Sequence, residues 1–286
     1  MKYRYKWTEE SIEKRIKKGL GQGYKENYKP WLTVQDVPSI GVVTRVKGKI
    51  VPRVYHFMSK LEHQYFCILE WSNKVMDIRE QFPLFQREDA QYIAEQKGIA
   101  YPFYPITKIP VVMTSDFAIQ LDDGTGKIKE IVRTVKPSNE LKKQRVLEKL
   151  EIEREYWKRR GIDWGIVTEK DICPELIYNL NFFRGAYYFN KNFPVIELAP
   201  YIFEGIVNNQ NQLVLNLLHS LDGRLNKEAG TFLSIFKFLL SRKLIAIDMS
   251  KKIDLHNLYC NELTVLGGAN LLNALQKDDS GGTRAG

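Results

Sequence analysis

The spacing of apolar residues predicts an α/β arrangement in the middle of the chain. Between Val111 and Pro137, apolar and polar residues alternate in two arms that flank the turn-forming run DDGTG, which predicts a β-hairpin. A long amphipathic helix is predicted to follow from Ser138 to Gly161, and the run IDWGIVT then predicts another strand. Two strands, a long helix and a further strand in this order are typical of an α/β core with a mixed sheet.

Shorter elements are predicted on the N-terminal side of this hairpin. They are a helix that begins at Thr8, two strands within 39–57, a helix from Ser59 to about Trp71, a strand over 75–82 and a helix over 88–97. The helix from Ser59 carries the capping-box sequence SKLE, in which Glu62 lies three residues after the N-cap. This pattern permits either a capping role or a metal-binding role for Glu62.

From about Lys170 the pattern becomes mainly helical. Helices are predicted from Pro174, over 212–221 and over 227–241. The aromatic run before Asn211 is predicted to be irregular, and LIAIDMSKKID predicts a strand with Lys251 and Lys252 in a basic turn. Helix, turn, helix and basic-tipped strand resemble a winged helix, with a small helical domain as the alternative. Residues 276–286 are polar and Gly-rich, which predicts a disordered tail or linker.

Composition excludes several classes of protein. The three cysteines are far apart, and the four histidines lack metal-ligand spacing, so neither a zinc ribbon nor a disulfide framework is supported. The N-terminus lacks the apolar segment of a signal peptide, and the most apolar stretch, 231–240, is too short to span a bilayer. We therefore expect a soluble protein in the reducing cytoplasm. The net charge of +9 favours phosphate-bearing partners.

Basic residues are concentrated near the N-terminus. The candidate DNA-binding residues there are Lys14, Arg15, Lys17, Lys18 and Lys25. The nearby glycines have the spacing G-x-G-x-G and follow no predicted strand, so they are not a dinucleotide-binding fingerprint. Two interpretations remain open: a solvated helix followed by a flexible loop, or a basic arm that follows a DNA backbone.

The predicted hairpin brings an acid and a lysine together. With the turn centred near Thr125, Asp116 falls roughly opposite Thr134, and Lys136 shares the face of Thr134 because side chains alternate along a strand. A carboxylate there can hold a divalent cation, and an ammonium can contact a water or a phosphate. The pattern is found in metal-dependent nucleases of the restriction-endonuclease type, although ordinary strand-edge residues also produce it.

The long predicted helix carries one acid on its apolar stripe. Val146, Leu150 and Trp157 lie along one side, and Glu153 completes the same line. Glu153 is therefore either a rim residue paired with a nearby Arg or Lys, or an acid that faces the interior.

Several long motifs in the same order resemble the TnsA family, the endonuclease subunits of heteromeric cut-and-paste transposases. They are RIKKGLGQGYKENYKPWLTVQDVPS, SKLEHQYFCILEW, DIREQFPL, MTSDF, VKP and LEKLEIEREYW. The resemblance covers roughly residues 10–170 and is weaker beyond them. It implies a restriction-endonuclease-like catalytic domain with a basic arm over 1–169, and a winged-helix-like domain over 170–275.

The resemblance also implies the roles of individual residues. The family's catalytic acids and lysine match Glu62, Asp116 and Lys136, and the backbone carbonyl of Val135 is an expected further metal ligand. Thr134 occupies an expected metal-ligand position that is usually Gln in the family, so this residue departs from the family pattern. Glu153 matches an acid near the family's active site. The implied cofactor is Mg²⁺, for which Mn²⁺ can substitute, activating water while Lys136 orients that water or stabilises the phosphate.

The implied activity is a nick at the 5′ end of each transposon strand. The implied partners are double-stranded DNA at transposon ends, a DDE-type (TnsB-like) subunit that cuts and joins the 3′ ends, and an AAA+ ATPase regulator (TnsC-like). The implied location is the bacterial cytoplasm, in association with the nucleoid. Two alternatives stay open: a stand-alone restriction-type nuclease, and a non-catalytic DNA-binding adaptor, which the Thr134 departure favours.

Overall fold

The computed structural model describes residues 7–36, 43–188 and 194–267. Internal contacts divide the chain into an N-terminal unit, Met1–Ile172, and a C-terminal unit, Cys173–Gly286. The domain boundary predicted from the sequence, between 169 and 170, lies close to this division. The predicted tail, 276–286, falls outside the described residues.

The N-terminal unit is a mixed α/β structure. Its helices are α1 (Glu9–Lys17), α2 (Lys60–Trp71), α3 (Arg87–Gln96) and α4 (Gln144–Lys158). Its strands are β1 (Thr44–Lys47), β2 (Val54–Phe57), β3 (Val75–Pro83), β4 (Thr114–Asp122), β5 (Ile128–Val135) and β6 (Asp163–Val167). The main sheet has the order β3-β4-β5-β6, with β6 parallel to β5 and the other neighbours antiparallel. The prediction of a mixed sheet is confirmed.

The β4–β5 hairpin forms around the predicted turn. The Asp122 side chain accepts a hydrogen bond from the Gly124 N–H at 2.8 Å, and Gly124 adopts a φ of +85° that glycine allows without strain. The observed β4–β5 register runs from Asp122 paired with Ile128 to Phe117 paired with Arg133, which is one pair before Asp116 and Thr134. The sequence thus correctly predicted the hairpin and its turn.

Helix α4 packs across the sheet but begins later than predicted. Ala118 and Val132 of the sheet are buried together with Ile152 and Tyr156 of α4. Ser138 does not cap the helix, because its backbone N–H (2.8 Å) and its hydroxyl both donate to the Glu169 carboxylate. A short 3-10 turn intervenes, and α4 starts only at Gln144.

The segment after α1 is packed against the sheet. Trp31 is fully buried, and the Tyr28 hydroxyl donates to the Glu80 carbonyl at 2.9 Å. Gly21 has a φ of +75° and lies so close to Pro83 that a Cβ would collide with it. The expectation of a flexible loop is therefore wrong for the residues described here.

The C-terminal unit is mainly helical. Its elements are α5 (Pro174–Phe183), α6 (Val195–Asn208), α7 (Val214–Arg224), α8 (Thr231–Ser241), β7 (Ile245–Ala246) and β8 (Thr264–Val265). The two short strands pair antiparallel. The Asn179 amide donates to the Lys251 carbonyl at 2.7 Å and accepts from the Ile253 N–H at 2.8 Å, which fixes the basic turn. In the described part of the chain, no helix is long and apolar enough to cross a membrane.

Helix α6 corrects the prediction of an irregular run before Asn211. Leu198, Ile202 and Ile206 lie at helical spacing and are buried. Pro200 lies inside this helix, where proline removes one backbone donor and normally argues against a helix. Burial of the apolar face outweighs that local preference.

Candidate active site

Asp116 and Lys136 meet at one end of the β4–β5 hairpin. The Asp116 Oδ2 accepts hydrogen bonds from the Val135 N–H at 2.7 Å and from the Lys136 Nζ at 2.8 Å. The Lys136 ammonium also donates to the Val135 carbonyl at 2.9 Å. Asp116 is buried, whereas the Lys136 side chain is 33% exposed. The structure thus brings the carboxylate and the ammonium together, as the hairpin pattern predicted, and adds the Val135 carbonyl, which the family resemblance implied.

Glu62 is held in place by the N-terminal end of α2. The Ser59 hydroxyl accepts from the Glu62 N–H at 3.1 Å and donates to Glu62 Oε1 at 2.9 Å. The Met58 N–H donates to Glu62 Oε2 at 3.0 Å. Glu62 therefore helps to order the helix start, which supports the capping role, and its buried carboxylate interacts electrostatically with Asp116; metal binding by Glu62 stays a prediction.

The cluster carries more negative than positive charge. Burial, with a further contribution from the Asp116 charge, raises the pKa of Glu62 to about 7. Burial lowers the pKa of Lys136, but the charges of Asp116, Glu153 and Glu62 outweigh that effect and raise it above its ordinary value. The cationic form of Lys136 is therefore favoured, whereas the charged form of Glu62 is disfavoured.

Glu153 faces the interior. Its Oε1 accepts from the Ser115 hydroxyl at 2.6 Å, from the Trp164 Nε1 at 3.0 Å and from the Thr134 hydroxyl. Burial raises the pKa of Glu153 despite these hydrogen bonds. The alternative of a rim residue paired with Arg or Lys is wrong, because these neutral donors take that place.

The donor set fits a divalent cation. Mg²⁺ prefers oxygen ligands, and Glu62, Asp116 and the Val135 carbonyl supply two carboxylates and one neutral oxygen. Among the described residues, no group of three or more His, Cys, Asp or Glu side chains is arranged to hold a metal ion. A cation here would therefore rely on two carboxylates, the carbonyl and water, as Mg²⁺ often does.

Sequence reasoning missed Gln81 and Thr114, which border this cluster. The Gln81 Nε2 lies 3.5 Å from Glu62 Oε2, and the Thr114 hydroxyl donates to Gln81 Oε1 at 3.3 Å. A polar residue before Phe-Pro in a predicted strand carries no local signal for such a role. Only the pairing of β3 with β4 could have pointed to it.

The predicted DNA-binding residues lie in different surroundings. Lys14, Lys17, Lys18 and Lys25 are exposed. The Arg15 guanidinium instead bonds Asp36, at 3.0 and 3.1 Å, and the Trp31 carbonyl. Arg15 therefore ties α1 to the following segment, because its charge is already partnered inside the fold.

Two family models match the chain in sequence order. The TnsA-like endonuclease N-terminal model matches residues 72–169, and the TnsA endonuclease C-terminal model matches residues 171–249. The transposon Tn7 transposition protein TnsA of Escherichia coli is 34% identical over 245 residues, which cover 86% of this chain and 88% of that relative. Asp116, Lys136 and Glu153 lie inside the first matched range, and Glu62 precedes it.

Proposed function

Because the chain belongs to the TnsA endonuclease family, we propose that it is the metal-dependent DNA endonuclease subunit of a cut-and-paste transposase, and that it hydrolyses phosphodiester bonds at the 5′ ends of the transposon. The observation that supports this proposal most directly is the charged cluster of Glu62, Asp116 and Lys136 at the end of the hairpin. Such a cluster has the oxygen ligands and the cationic side chain that phosphodiester hydrolysis uses.

In this proposal Glu62, Asp116 and the Val135 carbonyl hold Mg²⁺ or, in its place, Mn²⁺. When bound, the cation lowers the pKa of a coordinated water and neutralises charge that builds up on the scissile phosphate. The Val135 N–H fixes Asp116, and the Ser59 hydroxyl fixes Glu62, so both carboxylates are oriented before the cation arrives. Lys136, on a flexible and partly exposed stem, orients the attacking water or neutralises a phosphate oxygen.

Thr134 and Glu153 have supporting roles in the same proposal. The Thr134 hydroxyl donates a hydrogen bond to Glu153, so only the lone pairs of the Thr134 oxygen remain for a cation. We therefore assign Thr134 chiefly to the orientation of Glu153. Glu153 supplies a buried negative charge that favours the protonated form of Lys136 and a cation close by.

The proposed substrate is double-stranded DNA at the transposon ends. The exposed Lys14, Lys17, Lys18 and Lys25 would contact phosphates without reading sequence. We also propose that the C-terminal unit is winged-helix-like, because β7, the exposed turn at Lys251 and Lys252, and β8 follow α7 and α8. A DDE-type, TnsB-like subunit would cut and join the 3′ ends, and an AAA+, TnsC-like ATPase would contact the C-terminal unit.

Strand-specific cleavage of a labelled transposon end tests the proposal. The reaction contains Mg²⁺ and this chain, with and without the DDE-type subunit and the ATPase. We expect 5′ cutting only in the full mixture, and we expect Lys136→Ala to abolish it while 3′ joining by the partner continues. Retention of 5′ cutting by Lys136→Ala would refute the site.

The remaining outcomes separate the two alternatives. Cutting by this chain alone would identify a stand-alone nuclease. Absence of 5′ cutting from every mixture, with DNA binding retained, would identify a non-catalytic adaptor. In that case Thr134→Gln, which restores the residue usual in the family, is the first variant to examine.

A further inference from the structure

Gln81 has a backbone conformation that is unusual for its position. It lies inside strand β3 with a φ of +49°, in the left-handed region that costs free energy for any residue with a Cβ. Glycine would adopt this conformation without that cost. The chain instead carries a long polar side chain here, and that side chain is only 4% exposed.

This conformation changes the direction of the strand's side chains while keeping the register. Glu80 pairs with Phe117 and Phe82 with Ser115, so Gln81 lies beside Asp116 on the neighbouring strand. Regular alternation would place Arg79 and Phe82 on opposite faces of the sheet. The Arg79 guanidinium instead lies over the Phe82 ring, with 4.6 Å between the Arg79 Cζ and the ring centroid. The left-handed residue therefore interrupts the regular alternation of side chains in β3 beside the candidate active site.

The Gln81 side chain connects two groups at the edge of the charged cluster. Its Nε2 lies 3.5 Å from Glu62 Oε2, and its Oε1 accepts from the Thr114 hydroxyl at 3.3 Å. An ionised carboxylate only accepts hydrogen bonds, so the amide must turn its NH2 group towards Glu62. The Thr114 hydroxyl stabilises this orientation by donating to the opposite end of the amide.

We infer that Gln81 is a positioning residue for the divalent cation site and that Gln81 acts by orienting the Glu62 carboxylate. The inference rests on the proposed metal-dependent function. Ser59, Met58 and Gln81 together approach both Glu62 oxygens from the protein side. A carboxylate fixed in this way keeps its remaining lone pairs available for a cation. The need for that amide explains why the strained position is not a glycine.

Calorimetric titration of the full-length chain with Mn²⁺ alone, combined with thermal unfolding, tests this role. Gln81→Gly removes the amide and relieves the backbone strain. Partners of metal ligands typically contribute ~10–100-fold to metal affinity, so we expect Mn²⁺ to bind Gln81→Gly weaker by about that factor. The melting temperature should stay the same or rise. Gln81→Asn, which tolerates left-handed backbone but is one methylene shorter, should weaken Mn²⁺ binding in the same way.

Lys108→Gly is the matched control. Lys108 is also left-handed, with a φ of +57°, but it is exposed in the loop between α3 and β4. Its replacement should relieve strain without changing Mn²⁺ affinity. Wild-type affinity for Mn²⁺ in Gln81→Gly would overturn the inference about Gln81 alone. A wild-type chain that binds no Mn²⁺ would overturn the metal site itself, and the inference with it.

Discussion

Two groups of buried or half-buried acids in the N-terminal unit are balanced in different ways. In the first, which we call the arginine-paired group, Glu80 receives two hydrogen bonds from Arg53, at 3.0 and 2.5 Å, and Glu130 receives one from Arg79 at 2.5 Å. In the second, the charged cluster of the candidate active site, the charges of Glu62, Asp116 and Glu153 all act on the ammonium of Lys136. Each group includes residues of the main sheet, Glu80 in β3 and Asp116 in β4, so the difference is local.

The arginine-paired group is balanced in charge. The Arg53 guanidinium also donates to the Ile78 carbonyl at 2.7 Å and lies over the rings of Tyr28 and Tyr55. Such a pair balances its charges within the protein, and it has no charge left for a ligand. Its position beneath the N-terminal segment indicates a structural role.

In the proposed function, the charged cluster gains a further cation. Glu153 is held by neutral donors, and the pKa of Glu62 rises because burial and Asp116 disfavour its charged form. A divalent cation would supply the missing charge. The comparison teaches that burial of an acid does not distinguish a functional group from a structural one, whereas the balance of charge around it does.

The largest expected effect comes from Asp116→Asn. Loss of this charge should lower 5′ cleavage by at least ~10³-fold, because a bound metal contributes several kcal/mol to transition-state stabilisation. The free energy of unfolding should not fall by a comparable amount. Single-turnover cleavage and urea denaturation measure the two effects, with Asp123→Asn in the exposed hairpin turn as the control. If Asp116→Asn strongly lowered the free energy of unfolding but retained cleavage, the role of Asp116 would be structural, like that of the arginine-paired group.

Arg53→Met should give the opposite result. Removal of one partner of a buried ion pair leaves Glu80 uncompensated and should lower the free energy of unfolding by about 3–5 kcal/mol. Cleavage per folded molecule should stay near that of the wild type. The double variant Arg53→Met/Glu80→Leu should recover much of the stability. Loss of cleavage by fully folded Arg53→Met would contradict a purely structural role for the arginine-paired group.

Glu62→Gln is expected to have a smaller effect, on the pH dependence of the free energy of unfolding measured without metal. A carboxyl whose pKa is raised to about 7 binds its proton more tightly in the folded state, so wild-type stability should fall as pH rises from about 4.5 to about 7. Glu62→Gln removes this dependence and should be more stable above pH 7 by up to ~3 kcal/mol. Urea denaturation at several pH values measures the difference, and equal pH dependence of the two proteins would contradict the assignment.

Local patterns predicted the hairpin but not every contact that completes the site. Alternation and turn chemistry were enough to predict the hairpin that carries Asp116 and Thr134, because a hairpin is a local structure. Ser138 looked like a helix cap, yet its partner Glu169 comes from a distant part of the chain. Arg15 looked like an exposed helix charge for the same reason, since Asp36 lies outside its local pattern. The left-handed backbone of Gln81 leaves no trace in composition or periodicity.

The central claim is that Glu62, Asp116 and the Val135 carbonyl form a divalent cation site. The most direct measurement is an anomalous difference map from crystals of the wild-type chain soaked in Mn²⁺, with Asp116→Asn crystals treated in the same way. The account predicts a wild-type peak within ligand distance of these three groups, with Lys136 moved off the Asp116 oxygen, and no peak in Asp116→Asn. A map without a peak there, or a peak that persists in Asp116→Asn, would contradict it.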